Sequence, residues 1–139
     1  MSQAILSVNL SEARRMIAAG ERKATEMSIP YNIAVVDAGG NLVAVVRMDG
    51  AWLGSLDIAV NKAWTARAFD MPTAALSGLT QSGQPGFGLN TTNGGRVVIF
   101  GGGIPIKNNG AVIGAVGASG GSVEQDVLVA EAALSGILE

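Results

Sequence analysis

A cation and a carboxylate stand two residues apart at the end of a valine-rich stretch, where they could do chemistry together. Arg47 and Asp49 follow the run 42–46, and Gly50 comes next. The pair could orient an anionic ligand, with Asp49 exchanging a proton with it. A solvent-exposed ion pair in an Asp-Gly turn has the same sequence and contributes little. The spacing alone leaves both interpretations open.

Lys62 is the second candidate, because helical spacing places it on one face with Ile58, Thr65 and Phe69. A lysine among apolar neighbours can have a lowered pKa, and can then act as a base or bind an anion. Its long stem can equally carry the ammonium group out to solvent. We therefore take Asp49 and Lys62 as candidate catalytic residues, with the structural alternatives open.

Two glycine-rich segments, 101–103 and 117–122, could bind an anion through their backbone amides. The second precedes a predicted helix, and a helix N-terminus attracts carboxylate and phosphate groups. Asp126 falls in the first turn of that helix, where it favours the helix dipole. Neither segment has the spacing of a Walker or dinucleotide motif. The candidate ligand-binding residues are Arg47, Gly102, Gly103, Ser119, Gly120, Gly121 and Ser122.

The chain contains no histidine and no cysteine. It therefore lacks the commonest general base at neutral pH and the commonest metal ligand. Any acid–base role falls to a carboxylate, a lysine or Tyr31, and no metal site is expected. Disulfide and thiol chemistry are excluded as well.

Net charge and hydropathy indicate which classes of partner the chain is expected to have. The net charge is −2 at pH 7, and no stripe of Lys and Arg exists to neutralise phosphates, so nucleic acid is not expected to bind. No apolar run approaches the roughly 20 residues that span a bilayer, and the N-terminus lacks a signal-peptide pattern. We expect a cytoplasmic protein without a membrane partner. Hydrophobic residues make up 48% of the chain and charged residues only 14%, which predicts a homo-oligomer with aliphatic subunit contacts.

The periodicity predicts an α+β fold for a single domain, 1–139, with a five-stranded, mainly antiparallel sheet flanked by helices. If the strand ends share one edge of this sheet, Arg47, Asp49, Lys62 and the amides of 119–122 meet in one pocket. The residues 80–95 have almost no periodicity, which is typical of a binding loop, a lid or a subunit contact. The predicted order is helix 10–27, strands 32–37 and 42–48, helix 54–69, a short helical turn 73–79, strands 96–100, 103–107 and 111–118, and a last helix from 123.

Several motifs in a fixed order resemble the GlcG and HbpS family. This family is also described as a heme-degrading domain and as the C-terminal domain of PduO-type corrinoid adenosyltransferases. The resemblance covers nearly the whole chain, and it implies a profilin-like α/β/α fold, oligomeric assembly and, in some members, binding of heme or a corrinoid. The motifs are Ala34 to Gly40, Arg47 to Ala51, Lys62-Ala63 with Thr65-Ala66, Gly102 to Ile106, Ile113 to Gly117, Ser119 to Gly121, and Asp126.

The resemblance implies heme binding through histidine in some members, and this sequence cannot supply that ligand. The conceivable iron ligands that remain are Met16, Met27, Met48, Met71, Lys62 and Tyr31. One hypothesis is therefore a binding or sensing protein for heme, a corrinoid or a small organic acid, without histidine ligation. The alternative is a cofactor-free enzyme that uses Asp49 and Lys62 on a small hydroxy acid or a diol-derived metabolite.

Overall fold

The computed structural model describes all 139 residues as one antiparallel sheet with helices on both faces. The fold consists of four α-helices and four strands, and two short 3₁₀ turns lie between the third helix and the third strand. The elements are α1 Leu10–Glu26, β1 Asn32–Asp37, β2 Leu42–Arg47, α2 Leu53–Phe69, α3 Ala74–Leu79, the 3₁₀ turns Leu89–Thr91 and Asn93–Gly95, β3 Gly103–Asn108, β4 Ala111–Ser119, α4 Val123–Ser135 and a final 3₁₀ turn Gly136–Leu138.

The strand order is β2-β1-β4-β3, and every neighbouring pair is antiparallel. Helices α1 and α4 pack on one face, over a core that includes Tyr31, Ile33 and Val116. Helix α2 packs on the other face, where Val36 and Ala115 meet its alanines. The resulting three layers bury the two central strands and place the C-terminal end of β4 between α2 and α4.

Local sequence signals account for the main boundaries. Asn9 and Glu12 form a reciprocal capping box at the start of α1, and Ser122 and Gln125 form another at the start of α4. Asn109 and Gly110 both have positive φ and close the β3–β4 hairpin as that dipeptide predicts. The sequence predicts the box at Asn9 and Glu12, a cap within 119–122 and the Asn109-Gly110 turn, and all three are confirmed.

The sheet has four strands, so the predicted fifth strand is wrong. The segment 96–100 does not join the sheet and is instead attached to α2 at two main-chain groups: the Thr65 hydroxyl accepts from the Val98 amide and donates to the Arg96 carbonyl. The remaining main-chain groups of 97–101 have no partner within the chain. This stretch of strand-like sequence therefore runs beside α2 as an extended, unpaired segment.

Two further sequence expectations are corrected by the packing. The near-continuous valine content of 32–37 and 42–48 predicts burial of both faces of β1 and β2, but β2 is an edge strand, and three of its six residues are exposed. Helix α2 starts at Leu53, without a side-chain cap, rather than at the predicted Gly54-Ser55. None of the helices is both long enough and apolar enough to cross a bilayer.

Candidate functional site

Helix α2 lies unusually close to β4, and this approach buries Lys62. A Cβ built on Gly117 would stand 2.1 Å from the Ala59 carbonyl oxygen, and one on Gly103 would stand 2.3 Å from the Lys62 carbonyl oxygen. Only glycine allows the helix backbone to come so near the strands. The side chain of Lys62 is fully buried as a result, so the alternative in which its ammonium reaches solvent does not apply.

The Lys62 ammonium group makes two hydrogen bonds and one cation–π contact. Nζ donates to Asp126 Oδ2 at 2.6 Å and to the Ala118 carbonyl oxygen at 3.0 Å. It also lies 5.1 Å from the centre of the Phe100 ring, a cation–π distance. These three contacts fix the position of the charged amine inside the protein.

Asp126 receives four hydrogen bonds. Besides Lys62, the Tyr31 hydroxyl donates to Oδ1 at 2.8 Å, and the amides of Gly120 and Gly121 each donate to Oδ1 at 3.1 Å. We call Lys62, Asp126, Tyr31, Gly120 and Gly121 the buried polar cluster. The cluster links α2 to α4 across the end of β4. Both oxygens of the Asp126 carboxylate accept hydrogen bonds in it.

Burial and the Asp126 carboxylate shift the pKa of two cluster members in opposite directions. Burial lowers the pKa of Lys62, and the hydrogen bond and negative charge of Asp126 offset part of this. Burial raises the pKa of Tyr31, and the hydrogen bond and charge of Asp126 raise it further. The lysine is thus easier to deprotonate than usual, while the phenol keeps its proton.

The predicted anion site at Gly120 and Gly121 binds an anion that the chain itself supplies. Their amides point at Asp126 Oδ1, whereas Ser122 uses its exposed hydroxyl to cap α4. Ser119 is buried at the end of β4. The amides therefore position the partner of Lys62.

Gly102 and Gly103 lie next to Lys62 of the buried polar cluster. Gly102 has a φ of +125°, and a Cβ there would stand 2.6 Å from Lys62 Nζ and 2.7 Å from the Ala118 carbonyl oxygen. A side chain at this position would displace the ammonium group. Gly103 donates its amide to Thr73 Oγ1, which fixes the start of β3. These glycines make room for the lysine.

Arg47 and Asp49 lie at the same end of the sheet but outside the cluster. Arg47 is aligned with Asn32, and Asn32 is aligned in turn with Ser119, so two strand spacings, or about 10 Å, separate Arg47 from Ser119. Both Arg47 and Asp49 are exposed, and neither makes an ion pair or a side-chain hydrogen bond. Lys62 and the glycine segments come together, whereas Arg47 and Asp49 do not join them, and the proposed roles of all these residues stay predictions.

A cleft of about 470 Å³ opens on the outer side of Phe100, between α2 and the segment 95–100. Its floor is aliphatic, with Ile58, Val97 and Ile99 among the lining residues, and Asp57, Asn61 and Asn90 supply polar groups. Phe100 lines this cleft, and its ring also lies 5.1 Å from Lys62 Nζ. Phe100 is therefore the residue that the cleft and the buried polar cluster have in common.

Sequence reasoning missed Asp126 as the partner of Lys62, and it missed Tyr31 as a donor to Asp126. A signal for Asp126 was present, since it precedes Val129, Ala130 and Ala133 at helical spacing and thus shares their buried face. Helical spacing in the sequence predicts an apolar face of α4 made of Val123, Val127, Ala130, Leu134 and Ile137. The buried residues of α4 are instead Asp126, Val129, Ala130 and Ala133. Tyr31 carried no comparable signal, because its contact to Asp126 joins residues 95 positions apart.

Comparison with known proteins gives one family for nearly the whole chain. The family described as "Haem degrading protein HbpS-like" matches residues 8–135. An uncharacterized 15.0 kDa protein from the dhaT-dhaS intergenic region of Citrobacter freundii is 49% identical over 133 residues, covering 96% of this chain and 94% of that protein. The corrinoid adenosyltransferase PduO of the same organism is 39% identical, and the match covers 95% of this chain but only 39% of PduO.

Two solved structures are similar over nearly their full length. The Klebsiella pneumoniae protein ORFY superposes with a TM-score of 0.97 at 46% identity, covering 99% of this chain and 94% of ORFY. A PduOC:heme complex superposes with a TM-score of 0.90 at 36% identity, covering 93% and 94% of the two chains. The resemblance found in the sequence motifs is confirmed.

Proposed function

This chain belongs to the HbpS-like family, and from that premise we propose that it binds a heme or corrinoid ligand without histidine ligation. The observation that carries the proposal is the likeness to the PduOC:heme complex, at 36% identity over 93% of this chain. The adenosyltransferase activity of PduO is not part of the proposal, since the match leaves out most of that protein.

The cleft beside Phe100 supports an organic ligand of this kind. It combines an aliphatic floor with a carboxylate and two amides, a lining typical of small-molecule sites. The loop 80–95 contributes Asn90 and Gly95 to its wall, in keeping with the expectation that this loop binds a ligand or a second subunit. We propose that the ligand binds in this cleft. A ligand that extends from the cleft to the end of β2 would also contact the exposed Arg47 and Asp49.

The residues that could ligate iron axially are mostly engaged. Lys62 is paired with Asp126, the Tyr31 hydroxyl donates to Asp126, and Met16 is fully buried in the core. Met48 is half-buried, with its sulfur accepting the Tyr31 amide, while Met71 is exposed beyond α2. Strong ligation by two protein groups would require the core to open. Heme is therefore expected to bind through apolar contact with weak axial ligation.

Titration with hemin tests this proposal. We expect saturable binding with a broad Soret change, and the same change in Met71→Leu, because no strong protein ligand is involved. Cobinamide and hydroxocobalamin are titrated in parallel to distinguish a heme from a corrinoid ligand. A sharp six-coordinate spectrum lost in one methionine variant would contradict binding without strong ligation. Absence of saturable binding by all three compounds would remove the proposal.

The enzyme hypothesis remains as a second candidate, and the lowered pKa of Lys62 is the observation that favours it. In that case Lys62 is the base or nucleophile. Asp126, at 2.6 Å, is the carboxylate within its reach, whereas Asp49 would act only from the surface.

A further inference from the structure

The Phe100 side chain has the properties of a movable cover over Lys62. Its ring lies over the ammonium group, yet the residue is 38% exposed. The Phe100 amide and carbonyl have no hydrogen-bond partner within the chain, and three glycines follow it. Rotation of this side chain breaks no hydrogen bond, so it is restrained only by apolar and cation–π contact.

Moving the ring would join the buried amine to the cleft. Ile58 and Asn61 line the cleft and lie four residues and one residue before Lys62 on α2. The opposite wall is the segment 97–99, which is attached to α2 through Thr65. Phe100 lines the cleft, and the reactive group that its ring contacts is Lys62 Nζ.

We infer that Lys62 forms an imine with a small aldehyde that enters through the cleft when Phe100 rotates. This inference goes beyond the proposed ligand binding and does not depend on heme or a corrinoid. The ligand class is a short aliphatic aldehyde: its chain suits Ile58, Val97 and Ile99, and its carbonyl is the group with which an amine reacts.

The surroundings of Lys62 suit each step of this reaction. The ammonium transfers a proton to Asp126 Oδ2, 2.6 Å away, and the neutral nitrogen forms a bond to the carbonyl carbon. The carbonyl oxygen takes up the nitrogen's second proton and the proton held by Asp126, the C–O bond breaks, and one water leaves. One ammonium and one aldehyde thus give one protonated imine and one water, with no change in charge. The positive imine nitrogen remains beside the Asp126 carboxylate, which balances it as it balanced the ammonium.

The burial that lowers the pKa of Lys62 increases the share of neutral, nucleophilic amine at a given pH. Two other lysines provide internal references, since Lys23 and Lys107 lie towards solvent and the chain has no further lysine. The three amines can therefore be compared within the same molecule.

Trapping with butanal and sodium cyanoborohydride, in which hydride reduces the imine to a stable secondary amine, tests the inference on the full chain. Peptide mapping then gives the rate at each lysine across neutral and alkaline pH. We expect Lys62 to be alkylated in the folded protein, with a rate that rises at lower pH than the rate at Lys107. Lys62→Arg should lose that adduct alone.

The role of the cover is tested by Phe100→Ala, with Phe87→Ala as the matched control because Phe87 is an exposed phenylalanine in the loop 80–95. Phe100→Ala should raise the Lys62 rate several-fold and leave Lys23 unchanged, and Phe87→Ala should change neither. If Phe100→Ala folds poorly, Phe100→Leu is used in its place. Alkylation of Lys23 and Lys107 without Lys62 in the folded wild type, or a Lys62 rate that is equal in the Phe100 and Phe87 variants, would overturn the inference.

Discussion

The buried polar cluster and the turn after β2 each contain a basic and an acidic residue, but the cluster buries and pairs them, whereas the turn leaves them exposed and unpaired. In the cluster, Lys62 and Asp126 are almost fully buried, and four donors meet one carboxylate. In the turn, Arg47 and Asp49 are exposed and make no ion pair. Arg47 and Asp49, two residues apart, are unpaired, whereas Lys62 and Asp126, 64 residues apart, are joined.

The difference shows that desolvation, rather than sequence proximity, decides which pair has a defined geometry. Water satisfies Arg47 and Asp49 individually, so nothing holds them together. Lys62 and Asp126 are buried, so each must find its partners in the protein. A fixed geometry is what pKa shifts and imine chemistry need, and only the buried pair has it.

Removing one charge of the buried pair should give the largest effect. Asp126→Ala leaves Lys62 with the Ala118 carbonyl as its only polar partner and strands the Tyr31 hydroxyl in the core. Breaking a buried pair in this way costs about 3–5 kcal/mol in the free energy of unfolding. Urea unfolding followed by tryptophan fluorescence measures it.

The double variant Lys62→Met with Asp126→Leu separates the charge from the packing. Removal of both charges leaves no unpaired ion, so the double variant should be more stable than Asp126→Ala alone. If Asp126→Ala were as stable as the wild type, the contrast between the cluster and the turn would lose its energetic basis.

Tyr31 makes the cluster sensitive to alkaline pH, in contrast to the turn. Its pKa is raised in the folded state, so its contribution is fully present below about pH 10, the ordinary tyrosine value, and is lost as pH rises through the folded value. Above pH 10 the free energy of unfolding should fall by up to about 1.4 kcal/mol per pH unit on this account. Tyr31→Phe should remove that fall, and a parallel slope in both proteins would contradict the prediction.

Lys62 changes the free energy of unfolding with pH in the opposite direction to Tyr31. Because its folded pKa is lowered below 10.5, the unfolded chain binds more protons between the two values, and stability rises with pH across that window. The comparison of wild type with Tyr31→Phe leaves this contribution in both proteins, so their difference isolates the tyrosine.

The fold was largely predictable from the sequence, because helix caps and the Asn109-Gly110 turn act over a few residues. The fifth strand was not predictable, since 96–100 has strand-like residues but is attached to α2 through Thr65 instead of joining the sheet. Local pattern cannot reveal which neighbour satisfies a segment's main-chain groups.

The site was predictable in part for the same reason. Lys62 and the glycines at 102, 103, 120 and 121 were recognisable by residue type, and they do lie together. Asp126, which accepts from Lys62, Gly120 and Gly121, was predicted only to favour the helix dipole, because its role depends on the packing of α4 against β4. Arg47 and Asp49 were prominent in the sequence, but an edge strand and a turn give them no enclosing wall.

The smallest effect should come from the turn itself. Asp49→Asn and Arg47→Gln remove exposed charges without partners, so each should change the free energy of unfolding by no more than about 0.5 kcal/mol. The same two proteins are then titrated with hemin and hydroxocobalamin, since a stability measurement does not report on ligand contacts. Unchanged affinity would confine ligand binding to the cleft beside Phe100. Weaker binding at unchanged stability would instead show that the ligand reaches this end of the sheet, and it would give the exposed pair the orienting role that its sequence predicted.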